Sequence, residues 1–139
     1  MKQQFVTNSI RQTEQVAKDF GNTLKGGEVV LLCGEMGAGK THFTKGLALG
    51  LAINDVITSP TSALHNQYFG RLTLNHFDFY RVDDPVEAEM LGLDDFFYDK
   101  NAVSAIEWSE NIAYLLPKDC IRVTIAKLSN ESRQITIER

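Results

Sequence analysis

The sequence predicts an α/β domain: a mixed, mostly parallel sheet flanked by helices, with antiparallel additions and a C-terminal β-hairpin. Three observations carry that prediction. An apolar, strand-like run over residues 28–33 leads through a glycine-rich turn into a helical pattern over residues 41–51, the opening of an α/β unit. A second short apolar run, residues 102–106, has the composition of a strand buried on both faces. Residues 121–125 and 134–137 alternate apolar with polar side chains on either side of Asn130-Glu131, the pattern of a closing antiparallel hairpin.

The elements follow in chain order. Ser9 with Gln12 resembles a capping box, and Val16, Phe20 and Leu24 recur every four residues, predicting a helix over residues 9–24 that stops at Gly26-Gly27. The strand over residues 28–33 is rich in β-branched and aliphatic residues, and Phe43, Leu47 and Leu51 mark the buried stripe of the second helix. Residues 64–69 and 72–79 flank Gly70-Arg71 and predict a hairpin with a two-residue turn. Pro85 suits the first turn of a short helix, residues 85–91. Residues 109–116 form another, ended by Pro117.

The chain has 139 residues, 43% of them hydrophobic, and shows no repeat, low-complexity stretch or linker, so a single domain over residues 1–139 is expected. Its 14 Lys and Arg against 18 Asp and Glu leave a net charge of −4, which excludes a nucleic-acid grip based on a globally basic surface. No apolar run approaches the roughly 20 residues of a membrane span, and the N-terminus lacks the apolar stretch of a secretory signal. The two cysteines, Cys33 and Cys120, have no metal-ligand spacing and read as reduced thiols, which places the protein in the cytoplasm.

The chemistry begins at Gly34-Glu35-Met36-Gly37-Ala38-Gly39-Lys40-Thr41, which fits G-x-x-x-x-G-K-[ST] at every constrained position. Glycines let successive backbone N–H groups turn towards phosphate oxygens with no Cβ in the way, and the following helix adds its N-terminal dipole. Lys40 is expected to reach the β- and γ-phosphates and the Thr41 hydroxyl to ligate Mg²⁺. A chance match would occur in roughly one chain of this length in a few hundred, and the strand before and helix after supply the confirming context. The expected fold is therefore that of a P-loop NTPase, binding a nucleoside triphosphate with Mg²⁺.

Such a site needs an acidic residue at a strand end to hold the hydrated metal. Glu107 ends the apolar run over residues 102–106, and Asp78 lies in His76-Phe77-Asp78-Phe79-Tyr80. Glu107 is preferred for the metal and Asp78 for orienting or deprotonating the attacking water, with the exchange of roles left open. Thr58-Ser59-Pro60-Thr61 falls where P-loop enzymes place a loop that senses the γ-phosphate, although a Ser-Pro turn bonded to itself explains it as well. Trp108 adjoins Glu107 and either walls the nucleotide or fills core. His76 reads more readily as a hydrogen-bonded structural histidine than as a phosphate contact. Arg81 is either added positive charge or plain surface.

Together these residues resemble the TsaE (YjeE) family of small P-loop ATPases in tRNA threonylcarbamoyladenosine (t6A) biosynthesis. The resemblance runs through residues 34–41, Ser59-Pro60-Thr61, His76-Phe77-Asp78-Phe79-Tyr80-Arg81, Glu87 with Gly92-Leu93-Asp94-Asp95-Phe96, and Ile106-Glu107-Trp108-Ser109-Glu110. It implies modification of adenosine 37 in tRNAs that read codons beginning with A. It also implies work alongside TsaD and TsaB, with TsaC supplying threonylcarbamoyl-adenylate, and contact with tRNA only through the complex. ATP hydrolysis would reset the assembly between turnovers.

By the same resemblance Thr41 and Glu107 are Mg²⁺ ligands, and Asp78 is a catalytic or metal-shell residue. Thr61 belongs to a switch loop, Trp108 lies beside the nucleotide and Arg133 near its base, with Thr13 on the same side. Lys40 and the remaining loop residues, Gly34 to Gly39 with His42 after them, would line the bound ATP. Two departures stand out: Ser62-Ala63 replaces the usual Phe-Thr, and His42 replaces the usual Thr or Ser.

A stand-alone small-molecule kinase is the rival reading. Kinases of this class close an arginine-bearing lid, and no arginine lies between Arg81 and Arg122. The guanine-reading N-K-x-D and the switch motif D-x-x-G are absent, which disfavours a GTPase. A module that uses nucleotide only as a structural switch conflicts with intact Lys40, Thr41, Asp78 and Glu107. Weak ATPase activity alone and higher activity with partners is the expectation.

Overall fold

The computed structural model describes residues 1–60 and 64–139. Helix α1 (Ile10–Asn22) starts at Ser9, whose hydroxyl accepts from the Gln12 N–H at 3.1 Å. Gln12 answers with its own side chain, taking the Asn8 N–H at 2.7 Å, so the expected capping box is present one residue off its usual partner. Strand β2 (Val29–Cys33) is buried along almost its whole length and feeds the glycine loop, which opens helix α2 (Lys40–Gly50). Strands β3 (His65–Tyr68) and β4 (Thr73–Asp78), then β5 (Ala102–Glu107), β6 (Cys120–Lys127) and β7 (Arg133–Glu138) complete the sheet with β1 (Lys2–Thr7).

The seven strands run in the order β1-β7-β6-β2-β5-β4-β3. The centre, β6-β2-β5-β4, is parallel, and both flanks are antiparallel: β3 on β4 at one side, β7 and β1 beyond β6 at the other. The mixed sheet and the C-terminal hairpin predicted from the sequence are therefore present. Helices α1 and α2 cover one face with Phe20, Leu24, Phe43 and Leu47 over Val30, Leu32 and Val103. The short helices α3 (Val86–Glu89) and α4 (Leu93–Phe97), with a 3₁₀ segment at Ser109–Leu115, cover the other over Phe77, Phe79 and Ile106. Among the described residues no helix is long and apolar enough to cross a membrane.

α1 and α2 touch almost backbone to backbone. A Cβ on Gly46 would sit 2.2 Å from the Glu14 carbonyl oxygen and one on Gly50 2.5 Å from that of Lys18, so neither position tolerates a side chain. The fixed crossing of these helices sets where the α2 N-terminus points.

Three elements differ from expectation. Strand β1 has no strong sequence signal, because Lys2, Gln3 and Gln4 are exposed at the sheet edge and only its pairing with β7 defines it. Helix α4 begins at Gly92 in a left-handed conformation and is only five residues long, too short to show a helical period. The β3–β4 connection is not a two-residue turn. Tyr68 pairs with Leu74, and Gly70-Arg71 docks onto the helix ends instead of closing the hairpin tightly. The Arg71 N–H donates to the Leu51 carbonyl at 2.7 Å, and its guanidinium donates to the carbonyls of Leu24, Gly21 and Gly50 at 2.9–3.1 Å. One arginine thus supplies the donors that the C-termini of α1 and α2 lack, and its charge suits both dipoles.

Candidate functional site

The glycine loop sits where β2 ends and α2 begins, at the carboxyl edge of the parallel strands. Gly37 (φ +83°) and Gly39 (φ +113°) lie in the left-handed region, and a Cβ on Gly37 would meet nothing within 4 Å. The space over the loop is therefore open to a ligand. Opposite it stand the ends of β4 and β5, where register places Asp78 directly across from Glu107. The Phe79 N–H extends this pairing to the Glu107 carbonyl at 3.1 Å, and the Asn111 amide holds the Phe79 carbonyl at 2.9 Å.

A cleft of about 370 Å³ opens between the two sides, lined by Met36, Gly37, Gly39, Lys40, Thr41, His42, Ser59, Asp78, Tyr80, Glu107 and Trp108. Lys40 is only 7% exposed, and its ammonium lies 4.6 Å from the centre of the Trp108 ring. Trp108 itself has φ 59° and ψ 41°, a left-handed conformation unusual for a bulky residue, which turns the chain sharply after β5 and lays the indole on the cleft. Tyr80 packs against it with ring centres 4.8 Å apart.

The two carboxylates have different environments. Glu107 is 6% exposed, and its Oε2 lies 2.8 Å from Nε2 of the fully buried His76. Asp78 is half-buried, and its Oδ1 accepts the Tyr80 N–H at 3.0 Å. Burial pushes the Asp78 carboxyl above its ordinary value, and the nearby Glu107 charge adds to this; the Tyr80 N–H, His76 and Lys40 work in the opposite direction. Among the described residues no three His, Cys, Asp or Glu side chains converge as a metal cage. The donor set instead fits a hard divalent ion held by one hydroxyl, one or two carboxylates, phosphate and water, as Mg²⁺ usually is.

A second cleft of about 410 Å³ shares Gly37, Gly39 and His42 with the first and continues past Ser9, Arg11, Thr13, Asn130, Glu131 and Arg133. Arg133 is spent largely on backbone. Nε donates to the Ala38 carbonyl at 2.6 Å and Nη1 to the Ser129, Asn130 and Ser132 carbonyls at 2.8–3.2 Å, clamping the glycine loop to the β6–β7 turn. Thr13 shares a buried 2.7 Å hydrogen bond with the Thr7 hydroxyl, and His42 Nδ1 lies 3.4 Å from Glu14 Oε2.

Of the residues singled out in the sequence, Lys40, Thr41, Asp78, Glu107, Trp108, Met36, Gly37, Gly39 and His42 meet in the first cleft, and Thr13 and Arg133 join the second. Gly34, Glu35 and Ala38 line the outer side of the loop, against Thr124, Ile125 and Lys127. Thr61 lies outside the described residues. Its neighbour Thr58 is tied to β3 by the Tyr68 hydroxyl and the Asn66 amide. Tyr80, noted in the sequence only as part of the motif around Asp78, lines the first cleft. Ser9 and Asn130-Glu131, read above as a cap and a turn, and Arg11, which carried no signal, line the second, where only the pairing of β1 with β7 brings them together.

A family model described as "Threonylcarbamoyl adenosine biosynthesis protein TsaE" matches residues 7–135, which span both clefts. The chain belongs to the TsaE family. It is 40% identical over 132 residues to the tRNA threonylcarbamoyladenosine biosynthesis protein TsaE of Treponema pallidum, covering 95% of this chain and 97% of that one. It is 40% identical over 126 residues to the protein of the same name from Bacillus subtilis, covering 90% and 78%. The crystal structure of Bacillus subtilis YdiB superposes with a TM-score of 0.84 at 33% identity, over 99% of this chain and 84% of that one. Membership assigns the chain to t6A biosynthesis, the process named in its relatives.

Because Arg133 pins the loop and not just the far cleft, Arg133→Ala is expected to leave the fold intact and weaken nucleotide binding about tenfold, equivalent to ~1.4 kcal/mol. Isothermal titration with ADP checks this.

Proposed function

We propose that this TsaE-family protein is a Mg²⁺-dependent ATPase of the cytoplasm that acts with TsaB and TsaD in t6A modification of tRNA, hydrolysing ATP to reset their assembly between turnovers. The observation that carries the reading is the meeting, in one cleft, of the Lys40–Thr41 end of the glycine loop with the paired carboxylates of β4 and β5.

The loop N–H groups and Lys40 would bind the β- and γ-phosphates, and the adjoining cleft would take the base and ribose. Thr41 and Glu107 would hold Mg²⁺, which when bound neutralises phosphate charge and fixes the orientation of the γ-phosphate. The environments of the two acids support this division. Glu107 is held by a buried partner and suits a fixed outer ligand, whereas the raised basicity of Asp78 suits it to orient and deprotonate the attacking water. Tyr80 and Trp108, packed on each other, line one side of the cleft. The cleft contains no arginine among the described residues, so the charge that builds on the transferred phosphoryl group would be completed by a partner protein, with tRNA reached only through that complex.

The test is phosphate release from Mg-ATP by the protein alone and with purified TsaB, TsaD and tRNA. Weak release alone and strong stimulation by the partners is the expected result. Equal rates with and without them, or labelled phosphate appearing on an added metabolite, would overturn the reading.

A further inference from the structure

We propose that His76 is a positioning residue for Glu107: a buried imidazole that fixes one carboxylate oxygen so that the other faces Mg²⁺ in the cleft. The inference rests on the Mg-nucleotide reading above and concerns a residue that lines neither cleft. His76 is 0% exposed, on the same face of the sheet as Asp78 and Glu107, opposite Ala105 in the β4–β5 register. Its Nε2 lies 2.8 Å from Glu107 Oε2. Among the described residues Glu107 Oε1 has no protein hydrogen bond, and Glu107 lines the cleft beside Lys40 and Thr41.

The second observation is the other ring nitrogen, Nδ1, which is buried without a partner. A ring carrying its proton on Nε2 donates to the carboxylate and leaves only a lone pair unpaired at Nδ1. The opposite tautomer would bury an unsatisfied N–H and set a lone pair against a carboxylate oxygen. The unpaired Nδ1 therefore selects the tautomer that orients Glu107. A histidine kept only to fill core would be replaceable by an apolar side chain with no unpaired atom. A partner that holds a ligating carboxylate in place is the arrangement by which outer side chains tune a metal site.

Three variants separate orientation from packing. In His76→Gln the side-chain amide reaches about as far as Nε2 and still donates; His76→Leu fills space without a donor; His76→Asn donates but is too short to reach Glu107. The readout is Mg²⁺ titration of the ADP-bound protein followed by emission of Trp108, the chain's one tryptophan, with melting measured alongside.

The expected result is a Mg²⁺ half-saturation raised on the order of tenfold in His76→Leu and His76→Asn, with His76→Gln close to the unsubstituted protein. ADP binding without Mg²⁺ should be the same in all. Unchanged Mg²⁺ response in His76→Leu, or loss in His76→Gln equal to that in His76→Asn, would overturn the proposal. If His76→Leu fails to fold, the Gln and Asn pair still decides. An unsubstituted protein that binds ADP with no Mg²⁺ response would instead overturn the Mg-nucleotide reading, and this proposal with it.

Discussion

Lys40→Ala is expected to reduce partner-stimulated phosphate release by about 10²–10³-fold, the loss typical of removing one fixed positive donor from a site where negative charge develops. The fold should hardly notice. The ammonium leans on the Trp108 face 4.6 Å away, a contact worth ~1 kcal/mol in a partly open cleft, which corresponds to about 3–5 °C in melting temperature for a chain of this size. Phosphate release and a thermal melt on the same preparation check both halves. A large loss of stability would mean that Lys40 is mainly a packing residue. Unchanged turnover would mean that the cleft does not act on a phosphate chain.

Asp78→Asn should move the two quantities in opposite directions. As the proposed base, Asp78 contributes about 10²–10⁴-fold to turnover, and the amide cannot take a proton from water. Yet its carboxyl is raised above its ordinary value, first by burial and then by Glu107, so in mildly alkaline buffer the folded protein carries a charge its surroundings oppose. Asparagine keeps the shape and can still accept the Tyr80 N–H without that charge.

The sign is fixed by linkage. A carboxyl whose folded value is raised binds its proton more readily in the folded state, so its penalty is present above that value and fades as the pH falls through it. Asp78→Asn should therefore melt higher than the unsubstituted protein in alkaline, Mg²⁺-free buffer. The gap should close on acidification. A melting series against pH measures this, and a variant that is less stable at alkaline pH would contradict the burial argument. Activity taken at a cost in stability is what a strained or desolvated site leads one to expect.

Much of this site could be read from residue types because its chemistry is local in sequence. The glycine loop, Lys40 and Thr41 are consecutive, Glu107 ends an apolar run and Asp78 sits between Phe77 and Phe79, so a short window shows each one. The parallel centre was legible for the same reason: strands buried on both faces are written as continuous apolar runs, as over residues 102–106.

What failed to show depends on pairing between distant segments. β1 is exposed and polar along most of its length, and β7 alone gives it a place. Arg71 looks like a turn residue until the helix C-termini are brought beside it. Arg133 and Thr13 entered through resemblance to a family, and the bonds they make, to Ala38 and to Thr7, carry no pattern in sequence. His76 looked structural and is buried as expected, but only its geometry ties it to Glu107.

The pairing of β1 with β7, Lys2 opposite Glu138, also bears on the order of events during synthesis. α1, β2, the glycine loop and α2 leave the ribosome early and can pack together, but β1 must wait as an unpaired edge until β7 has been made. The far cleft has the same history, since Ser9, Arg11 and Thr13 form one wall and Asn130, Glu131 and Arg133 the other. A nascent chain therefore carries the glycine loop before Arg133 can clamp it and before the far cleft has its second wall, and both are completed only once β7 has been made. Long-range closure of this kind folds slowly and leaves a strand edge open to wrong partners in the meantime.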